Sequence, residues 1–210
     1  GLFNIGGEGQ AAMGGLGVTL VVLALPWPHW ALALPAAMVG AAGFGALWAL
    51  IPAWLQARRG SHVVITTIMF NFIAAAVLNY VLVNVLRPVG SMDPASASFP
   101  AAVHLPKLSD MALALGVTWG KNTPANVTFF IALAACILVW LLIWRTRLGY
   151  EIRAFGRSEP AALYAGISPL RITVMAMVIS GALAGLMAVN NVMGEAGRLV
   201  LNAVEGAGFI

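Results

Sequence analysis

Polar side chains interrupt otherwise apolar stretches of this sequence, and the chemistry they offer is hydrogen bonding. The first group lies in FNIGGEGQ, residues 3–10, where Asn4, Glu8 and Gln10 are interleaved with glycines before an apolar run. Glycines here would let the backbone leave a helix and direct amides and carbonyls into a cavity. The group is therefore a candidate site for a small polar solute. The alternative is an interfacial loop that only begins a helix.

The second group lies within residues 65–84, where Thr66, Thr67, Asn71 and Asn79 interrupt an apolar run. Asn71 follows Thr67 by four residues and precedes Asn79 by eight, a spacing that predicts roughly one helical face. A polar stripe on a membrane helix faces protein or water because hydrocarbon cannot satisfy it. For Asn71, contact with a solute and a structural hydrogen bond between helices are equally open.

The third group contains Asn190, Asn191 and Glu195, which follow the last long apolar run. Before it, the sequence GALAG at 181–185 has the small-residue spacing that permits close helix packing. Asn190 could contact a solute or only end the helix. Amides donate and accept hydrogen bonds and a carboxylate accepts them, so these groups supply six candidate solute-binding residues. They are Asn4, Glu8, Gln10, Thr67, Asn71 and Asn190.

The sequence predicts neither a catalytic site nor a metal site. His29, His62 and His104 are widely spaced, and no His, Asp and Glu cluster has the spacing of metal ligands. The single Cys136 excludes an internal disulfide. The glycines of residues 6–9 do not form a nucleotide-binding loop, because no strand precedes them and no Lys-Ser/Thr pair follows. We expect no cofactor in this chain and no nucleic-acid partner.

Composition predicts that these groups lie on membrane helices. Hydrophobic residues make up 61% of the chain and charged residues 9%, far below the roughly 25% charged content of soluble domains. Four stretches are long enough to cross a bilayer as helices: 31–55, 63–86, 127–144 and 172–193. A fifth, 11–25, contains three glycines and is interpreted as a broken or partly re-entrant span. The predicted fold is an all-α, polytopic transmembrane bundle with four to six spans.

Positive charge predicts the orientation of these spans. Arg58 and Arg59 lie between the spans 31–55 and 63–86. Five arginines lie between the spans 127–144 and 172–193: Arg145, Arg147, Arg153, Arg157 and Arg171. Basic residues near span ends mark the cytoplasmic side. Segment 145–171 is therefore predicted to be cytoplasmic and segment 87–125 extracytoplasmic. Within the latter, residues 111–119 could form a short surface helix.

The cytoplasmic segment, RTRLGYEIRAFGRSEPAALYAGI at 145–167, contains a short capped helix by its sequence signals. Ser158 is a good N-cap, Glu159 and Pro160 suit the first turn, and Gly166 suits the position after the last turn. A short rigid helix between two spans is a surface that a partner protein can hold.

Four segments together resemble a known family: FNIGGEGQ, GSHVVITTIMFNFIA, the loop at 145–167, and ISGALAGLMA. They are similar to permease subunits of bacterial ABC importers of the branched-chain amino acid and simple-sugar group, and most similar to its nucleoside and simple-sugar members. Residues 88–128 carry little of the resemblance. It implies a permease of about ten spans in the inner membrane. Residues 1–210 would be one permease domain, incomplete at both ends.

The resemblance also implies partners. These are a second permease subunit, identical or different, two cytoplasmic ATP-binding subunits and an extracytoplasmic solute-binding protein. ATP and Mg would be bound by the ATPase. The short helix would sit in a cleft of the ATPase, with Ala161, Ala162 and Ala165 as a small-residue surface. The arginines could equally reflect only the positive-inside bias. The residues implied in coupling are Arg153, Gly156, Glu159, Pro160, Ala161, Ala162 and Gly166.

The predicted function is inward transport of nucleosides or a related small polar solute. A sugar or branched-chain amino acid permease of the same architecture is the alternative within transport. A structural or assembly subunit and a membrane-embedded enzyme are the alternatives outside transport, although clustered acids or histidines of an enzyme are missing from the sequence.

Overall fold

The structure is a computed structural model that describes residues 3–60, 62–114, 116, 125–204, 206 and 208. Within these residues the helices are α1 (Gly7–Ala24), α2 (Trp30–Arg59), α3 (Val63–Val81), α4 (Leu108–Ala114), α5 (Thr128–Arg145), α6 (Arg147–Arg157), α7 (Glu159–Tyr164) and α8 (Pro169–Val189). π-helical turns continue α3 over Leu82–Leu86 and α8 over Asn190–Ala196. A short 3₁₀ turn covers Ala101–Val103.

Five helices in the described part of the chain are long and apolar enough to cross a membrane. They are Gly7–Ala24, Trp30–Arg59, Val63–Leu86, Thr128–Arg145 and Pro169–Ala196. They match the four long apolar stretches of the sequence and the shorter fifth one. The prediction of an all-α, polytopic helical bundle is confirmed.

α1 is one continuous helix over Gly7–Ala24, so the break that the glycines predicted within 11–25 is wrong. Its glycines lie where other backbones approach it. A Cβ on Gly14 would stand 2.5 Å from Cα of Gly185, and one on Gly40 of α2 would stand 2.8 Å from the carbonyl oxygen of Gly17. The glycines therefore allow close packing of an intact helix, which their effect on helix propensity alone does not reveal.

α1, α2 and α8 form a core in which helix backbones touch. A Cβ on Gly45 of α2 would overlap the carbonyl oxygen of Gly181, and one on Gly185 would overlap that of Ala41. The close packing predicted from GALAG is confirmed. Larger apolar side chains, including Leu16, Val22, Leu34 and Val192, fill the space around these contacts.

The segment after α3 folds over the end of the bundle at which α1 and α8 finish. The backbone N–H of Ser96 donates to the carbonyl oxygen of Leu199 at 2.9 Å, and that of Phe99 donates to Gly197 at 2.8 Å. Phe99, Val103 and Leu105 belong to the main apolar core. The surface helix predicted at 111–119 is observed in part as α4, while residues 115 and 117–119 lie outside the described residues.

α6 and α7 lie at the opposite end of the bundle, which we call the arginine-rich end because α2 and α5 finish there with Arg59 and Arg145. The Ser158 hydroxyl accepts the Ala161 N–H at 3.4 Å, and Gly166 has a φ of 75°. The predicted cap and the predicted end of α7 are both confirmed. Ala162 packs with Ile167 and Ile172, so α7 is attached to the first turn of α8.

α5 stands apart from this packing. None of its residues, all of which the structure describes, is buried. Its closest neighbour is α6, with which it forms a tight corner at Gly149, where a Cβ would overlap the carbonyl oxygens of Leu142 and Ile143. α6 in turn contacts α7 and α8. α5 is therefore joined to the bundle through α6 at the arginine-rich end and through Ile131, which packs against the main apolar core near the other end, and it leaves a gap beside α8 between these contacts.

Candidate functional site

A first group of polar residues gathers around the start of α1. Asn4 donates from Nδ2 to Oε1 of Gln10 at 2.9 Å and to the Ser180 hydroxyl of α8 at 3.0 Å. Its Oδ1 accepts the N–H of Gly6 at 2.9 Å and Nε2 of Gln10 at 3.2 Å. Ser180 follows Pro169 by about 17 Å of helix at 1.5 Å per residue. α1 therefore begins level with the middle of α8 and not at either end of the bundle.

Asn71 of α3 connects two backbone groups at this helix start. The N–H of Gly9 donates to its Oδ1 at 2.9 Å, and its Nδ2 donates to the carbonyl oxygen of Ile5 at 2.9 Å. Gly9 permits the approach, since a Cβ there would stand 3.0 Å from both Cα and Oδ1 of Asn71. Asn71 is buried. Both ends of its amide are thus bonded to backbone groups that the helix itself leaves unpaired.

Glu8 binds the chain that returns from the end of α8. Its two carboxylate oxygens accept the backbone N–H groups of Gly206 at 3.0 Å and Gly208 at 2.9 Å. A Cβ on Gly7 would stand 2.6 Å from the carbonyl oxygen of Gly208, so the two backbones are in direct contact. A carboxylate that accepts two N–H groups is a strong local anchor.

We call Asn4, Glu8, Gln10, Asn71 and Ser180 the α1 cluster. It contains four of the six residues predicted to bind solute, and the structure brings all four together. Their hydrogen bonds go to one another, to backbone groups and to Ser180. The fifth, Thr67, is also buried and donates its hydroxyl to the carbonyl oxygen of Val64 within its own helix at 3.1 Å.

Asn79 does not share the buried face of α3, so the prediction of one polar face through Thr67, Asn71 and Asn79 is wrong at its last member. The buried positions after Asn71 are Ala74 and Leu78, and Asn79 is exposed. Eight residues turn a helix about 80° past whole turns. That rotation is enough to move Asn79 off the face that α1 covers.

A second group of polar residues lies where α8 ends and α5 begins. Oδ1 of Asn190 accepts Nδ2 of Asn126 at 2.8 Å and the Thr128 hydroxyl at 2.9 Å. Its Nδ2 donates to Oε1 of Glu195 at 2.9 Å. Asn191 donates to the carbonyl oxygen of Ala203 at 2.8 Å. We call Asn126, Thr128, Asn190, Asn191 and Glu195 the α8 cluster.

The α8 cluster borders a cavity of about 900 Å³ between α5 and α8. The cluster lies at one end of the cavity, and apolar and aromatic residues line the remainder, among them Phe129, Ile131, Trp140 and Leu186. A cavity with an apolar wall and a few convergent polar groups is the usual form of a small-molecule site. Of the six predicted solute-binding residues, Asn190 lines this cavity.

Sequence reasoning missed Asn126 and Thr128. The N–H of Thr128 donates to Oδ1 of Asn126 at 2.9 Å, which is the local turn that an Asn forms with the residue two positions on. Asn-x-Thr directly before an apolar run was therefore a readable signal of a polar turn at a helix start. Its contact with Asn190 depends on how α5 and α8 meet, which the sequence does not encode locally.

The residues predicted to couple to a partner divide into two sets at the arginine-rich end. Gly156, Glu159, Pro160, Ala161 and Gly166 are exposed. Ala162 is buried against α8, so it cannot offer the partner-facing surface predicted for it. Arg153 lies against α5, with its guanidinium 4.5 Å from the ring centroid of Trp144. Tyr164, which sequence reasoning did not select, is 96% exposed on α7.

Potential metal ligands do not cluster within the described residues, where no group of three His, Cys, Asp or Glu side chains comes together. Both polar clusters consist mainly of amides and hydroxyls, with one carboxylate each. Such groups hold a neutral ligand by hydrogen bonds, and carboxamides are poor acids and bases.

Comparisons with known proteins agree with the helical architecture. A family model described as the permease component of branched-chain amino acid transport systems matches residues 1–203. A glucose ABC transporter permease of Haloferax volcanii is 33% identical over all of this chain and 54% of its own length. A guanosine ABC transporter permease of Bacillus subtilis is 37% identical over 99% of this chain and 56% of its own.

A nucleoside ABC transporter permease of Lactococcus lactis is also similar, with 33% identity over 89% of this chain and 50% of its own length. The chain thus spans about half the length of the curated relatives it matches. No solved structure matches it.

Proposed function

This chain belongs to the family of permease components of branched-chain amino acid transport systems, and from that premise we propose that it forms part of the membrane pathway of an ATP-driven importer for a nucleoside or related small polar solute. Three relatives of this chain carry names that specify guanosine, nucleosides or glucose. All three named cargos are neutral and rich in hydrogen-bonding groups. The family and the five helices that are long and apolar enough to cross a membrane identify a multi-pass protein of the cell membrane.

The observation that carries the proposal is the cavity between α5 and α8. Its volume of about 900 Å³ lies within the range of about 300 to 1,000 Å³ typical of small-molecule sites. The α8 cluster supplies amide, hydroxyl and carboxylate groups at one end, which suits sugar hydroxyls and base edges. Phe129 and Trp140 supply apolar and aromatic surface, which suits the faces of a nucleobase.

The two polar clusters then have different roles in transport. The α8 cluster, through Asn126, Thr128, Asn190 and Glu195, contacts the solute. The α1 cluster fixes the position at which α1 begins, because its side chains are bonded to backbone groups of the helix start. Asn4, Glu8, Gln10 and Asn71, predicted from sequence as solute-binding, are therefore assigned to support of the permease fold.

The arginine-rich end is proposed to be cytoplasmic and to meet the ATP-binding subunits, as the positive-inside bias favours. α7 is the contact helix. It is short, capped at both ends and attached to α8 by Ala162, so a displacement of α7 would be transmitted to a cavity-lining helix. Pro160, Ala161 and Tyr164 on its exposed side would contact the partner. ATP and Mg would be bound by that partner.

The remaining proposed partners are a second permease subunit and an extracytoplasmic solute-binding protein that delivers the cargo. Alternating access requires two arrangements of the spans whose populations the partners shift. α5 is the span best placed to move, because it contacts the bundle mainly through α6.

A sugar is the second candidate cargo, favoured by the relative of Haloferax volcanii that aligns with the whole chain. A branched-chain amino acid fits less well. The described residues that line the cavity include Glu195, which could pair with an α-ammonium group, and neither Lys nor Arg, so an α-carboxylate would be left without a cationic side chain.

Uptake by the full-length protein in proteoliposomes, with its ATPase and binding protein, tests the proposal. Labelled guanosine, glucose and leucine would be supplied separately, with ATP inside, without ATP, or with an ATPase variant unable to hydrolyse it. ATP-dependent uptake of guanosine, competed by other nucleosides, is the expected result. Uptake of glucose alone would replace the cargo with a sugar, and uptake of leucine alone would contradict the assignment of the cavity. No ATP-dependent uptake would overturn the transport proposal.

A further inference from the structure

The last turns of α5 expose aromatic and basic side chains together. Trp140 and Trp144 are 51% and 57% exposed. Both rings are accessible, as are the other side chains of α5, a helix described in full that has no buried residue. Tryptophan is enriched at membrane interfaces, where its ring contacts both hydrocarbon and headgroups. The end of α5 therefore has the composition of a membrane boundary.

Two arginines stack on these tryptophans. The guanidinium of Arg145 lies 5.8 Å from the ring centroid of Trp140, and that of Arg153 lies 4.5 Å from the centroid of Trp144. Both distances fall within the cation–π range. Arg153 also donates from Nε to the carbonyl oxygen of Gly149 at 3.4 Å. Stacking holds each guanidinium in place and leaves terminal N–H groups at its edge for an anion.

Among the residues that the structure describes, no carboxylate forms an ion pair with either of these two arginines. Within the described residues the ion pairs are Arg147 with Glu151 at 3.1 Å and Arg198 with Asp93 at 3.9 Å. Glu151, the only carboxylate of α6, is thus directed to Arg147. Arg145 and Arg153 present two fixed positive charges beside exposed indole rings, an arrangement complementary to an anion that has an apolar tail.

We propose that Trp144, Arg145 and Arg153 bind the headgroup of an anionic phospholipid in the leaflet at the arginine-rich end. The arginines would donate hydrogen bonds to the headgroup phosphate. Toward the bilayer centre, the exposed side chains of Leu133, Ile137, Leu138 and Leu141 give the acyl chains an apolar surface.

A bound lipid at this place would stabilise the corner between α5 and α6. Gly149 packs directly on the last turn of α5, and Arg153 joins α6 to Trp144 on that same helix. The headgroup would contact Arg145 of α5 and Arg153 of α6. Arg153 thereby receives a role different from the ATPase contact that the sequence predicted for it.

Lipid titration of the purified full-length protein tests the site without ATP, solute or partner proteins, so its outcome is independent of the proposed transport. Native mass spectrometry would count bound phosphatidylglycerol in a mild detergent, with phosphatidylcholine as the uncharged comparison. We expect Arg153→Gln to weaken phosphatidylglycerol binding about tenfold, the effect of one lost charge-assisted hydrogen bond. Arg157→Gln is the matched control, since Arg157 is an exposed arginine on the same helix.

Three further measurements separate the specific site from general attraction. Trp144→Leu should also weaken binding while preserving net charge. Inorganic phosphate should not compete, because it lacks the apolar tail. Unchanged far-UV circular dichroism would show that Arg153→Gln is folded. Equal losses for Arg153→Gln and Arg157→Gln, or no loss for either, would overturn the proposal, as would full competition by inorganic phosphate.

Discussion

The α1 cluster and the α8 cluster consist of the same residue types, yet the structure uses them differently. In the α1 cluster, Asn71 and Glu8 bond to backbone groups of other segments, and the cluster lies away from the cavity. In the α8 cluster, Asn190 bonds mainly to other side chains and lines the cavity. Amides in an apolar span therefore do not by themselves indicate solute binding.

The difference follows from where each helix terminus lies. α1 begins level with the middle of α8, where water is not available to satisfy the free N–H groups of a first helical turn. Asn4 and Asn71 accept two of these groups, those of Gly6 and Gly9. α8 instead ends next to the loops, where its last polar side chains are free to contact one another and a ligand.

The largest expected effect comes from Asn71→Leu. The substitution leaves the N–H of Gly9 and the carbonyl of Ile5 without partners in an apolar environment, at about 1 to 3 kcal/mol for each group. We expect a strong loss of folded protein, measured as yield in the membrane and as melting temperature in detergent. Asn79→Leu on the exposed side of the same helix is the control and should be close to neutral. Normal melting with impaired solute uptake would return Asn71 to solute binding.

Gly9→Ala should have the next largest effect. The new methyl group would stand 3.0 Å from Asn71 and 3.1 Å from Cβ of Ala74, so α1 and α3 would have to separate. Overpacking of this kind costs about 1 to 3 kcal/mol. Gly43→Ala is the matched control, because nothing lies within 4 Å of a Cβ there. Thermal unfolding of both variants measures the difference, and equal melting temperatures would contradict the close approach.

Asn190→Leu tests the α8 cluster and should affect transport more than stability. It removes the acceptor for Asn126 and Thr128 at a half-buried position at the end of α8, so we expect a loss of about 1 kcal/mol or less. Solute affinity should fall roughly tenfold if a hydrogen bond to the ligand is lost. Uptake kinetics and melting temperature, measured on the same preparation, separate the two effects. A variant that melts early and shows an unaltered KM would assign Asn190 to the fold.

Glu195→Gln should have the smallest effect. The substitution keeps an oxygen that can accept Nδ2 of Asn190 and removes the negative charge. We expect the stability to change by about 0.5 kcal/mol or less, as for an exposed position. Glu195→Gln should raise the KM for a neutral nucleoside by a smaller factor than Asn190→Leu does. A change in ionic-strength dependence without a change in KM would show that Glu195 does not touch the solute.

Local patterns in the sequence were sufficient for the five long helices and for α7, whereas α6 was not predicted. Apolar length predicted the spans, and Ser158 and Gly166 predicted the limits of α7, because capping depends on neighbours within a few residues. The GALAG motif predicted close packing for a similar reason, since small residues four apart leave one helix face free of bulk.

The partners of individual polar groups were not predictable. Asn71 and Asn190 look alike in sequence, and only the positions of α1 and α5 decide that one meets a backbone and the other a cavity. The glycines of α1 suggested a break because glycine is known to weaken a single helix. The sequence does not show that the backbone of Gly185 packs against them. That Ala162 faces α8 was not predictable either, because the rotation of a short helix about its axis depends on what the helix packs against.

Contact between glycine backbones has a consequence for how this sequence can vary. Where Gly14 meets Gly185 and Gly17 meets Gly40, backbone atoms of one helix stand within 2.8 Å of the position that a Cβ on the other would take, so a larger residue on one helix cannot be offset by a smaller one opposite. These positions should tolerate almost no replacement in a mutational scan. The face of α5 that does not line the cavity, with Leu133, Ile137 and Leu138, should accept exchanges among Leu, Ile, Val and Phe. Variation in this protein is therefore expected to concentrate on that outward face of α5, while the glycine contacts stay fixed.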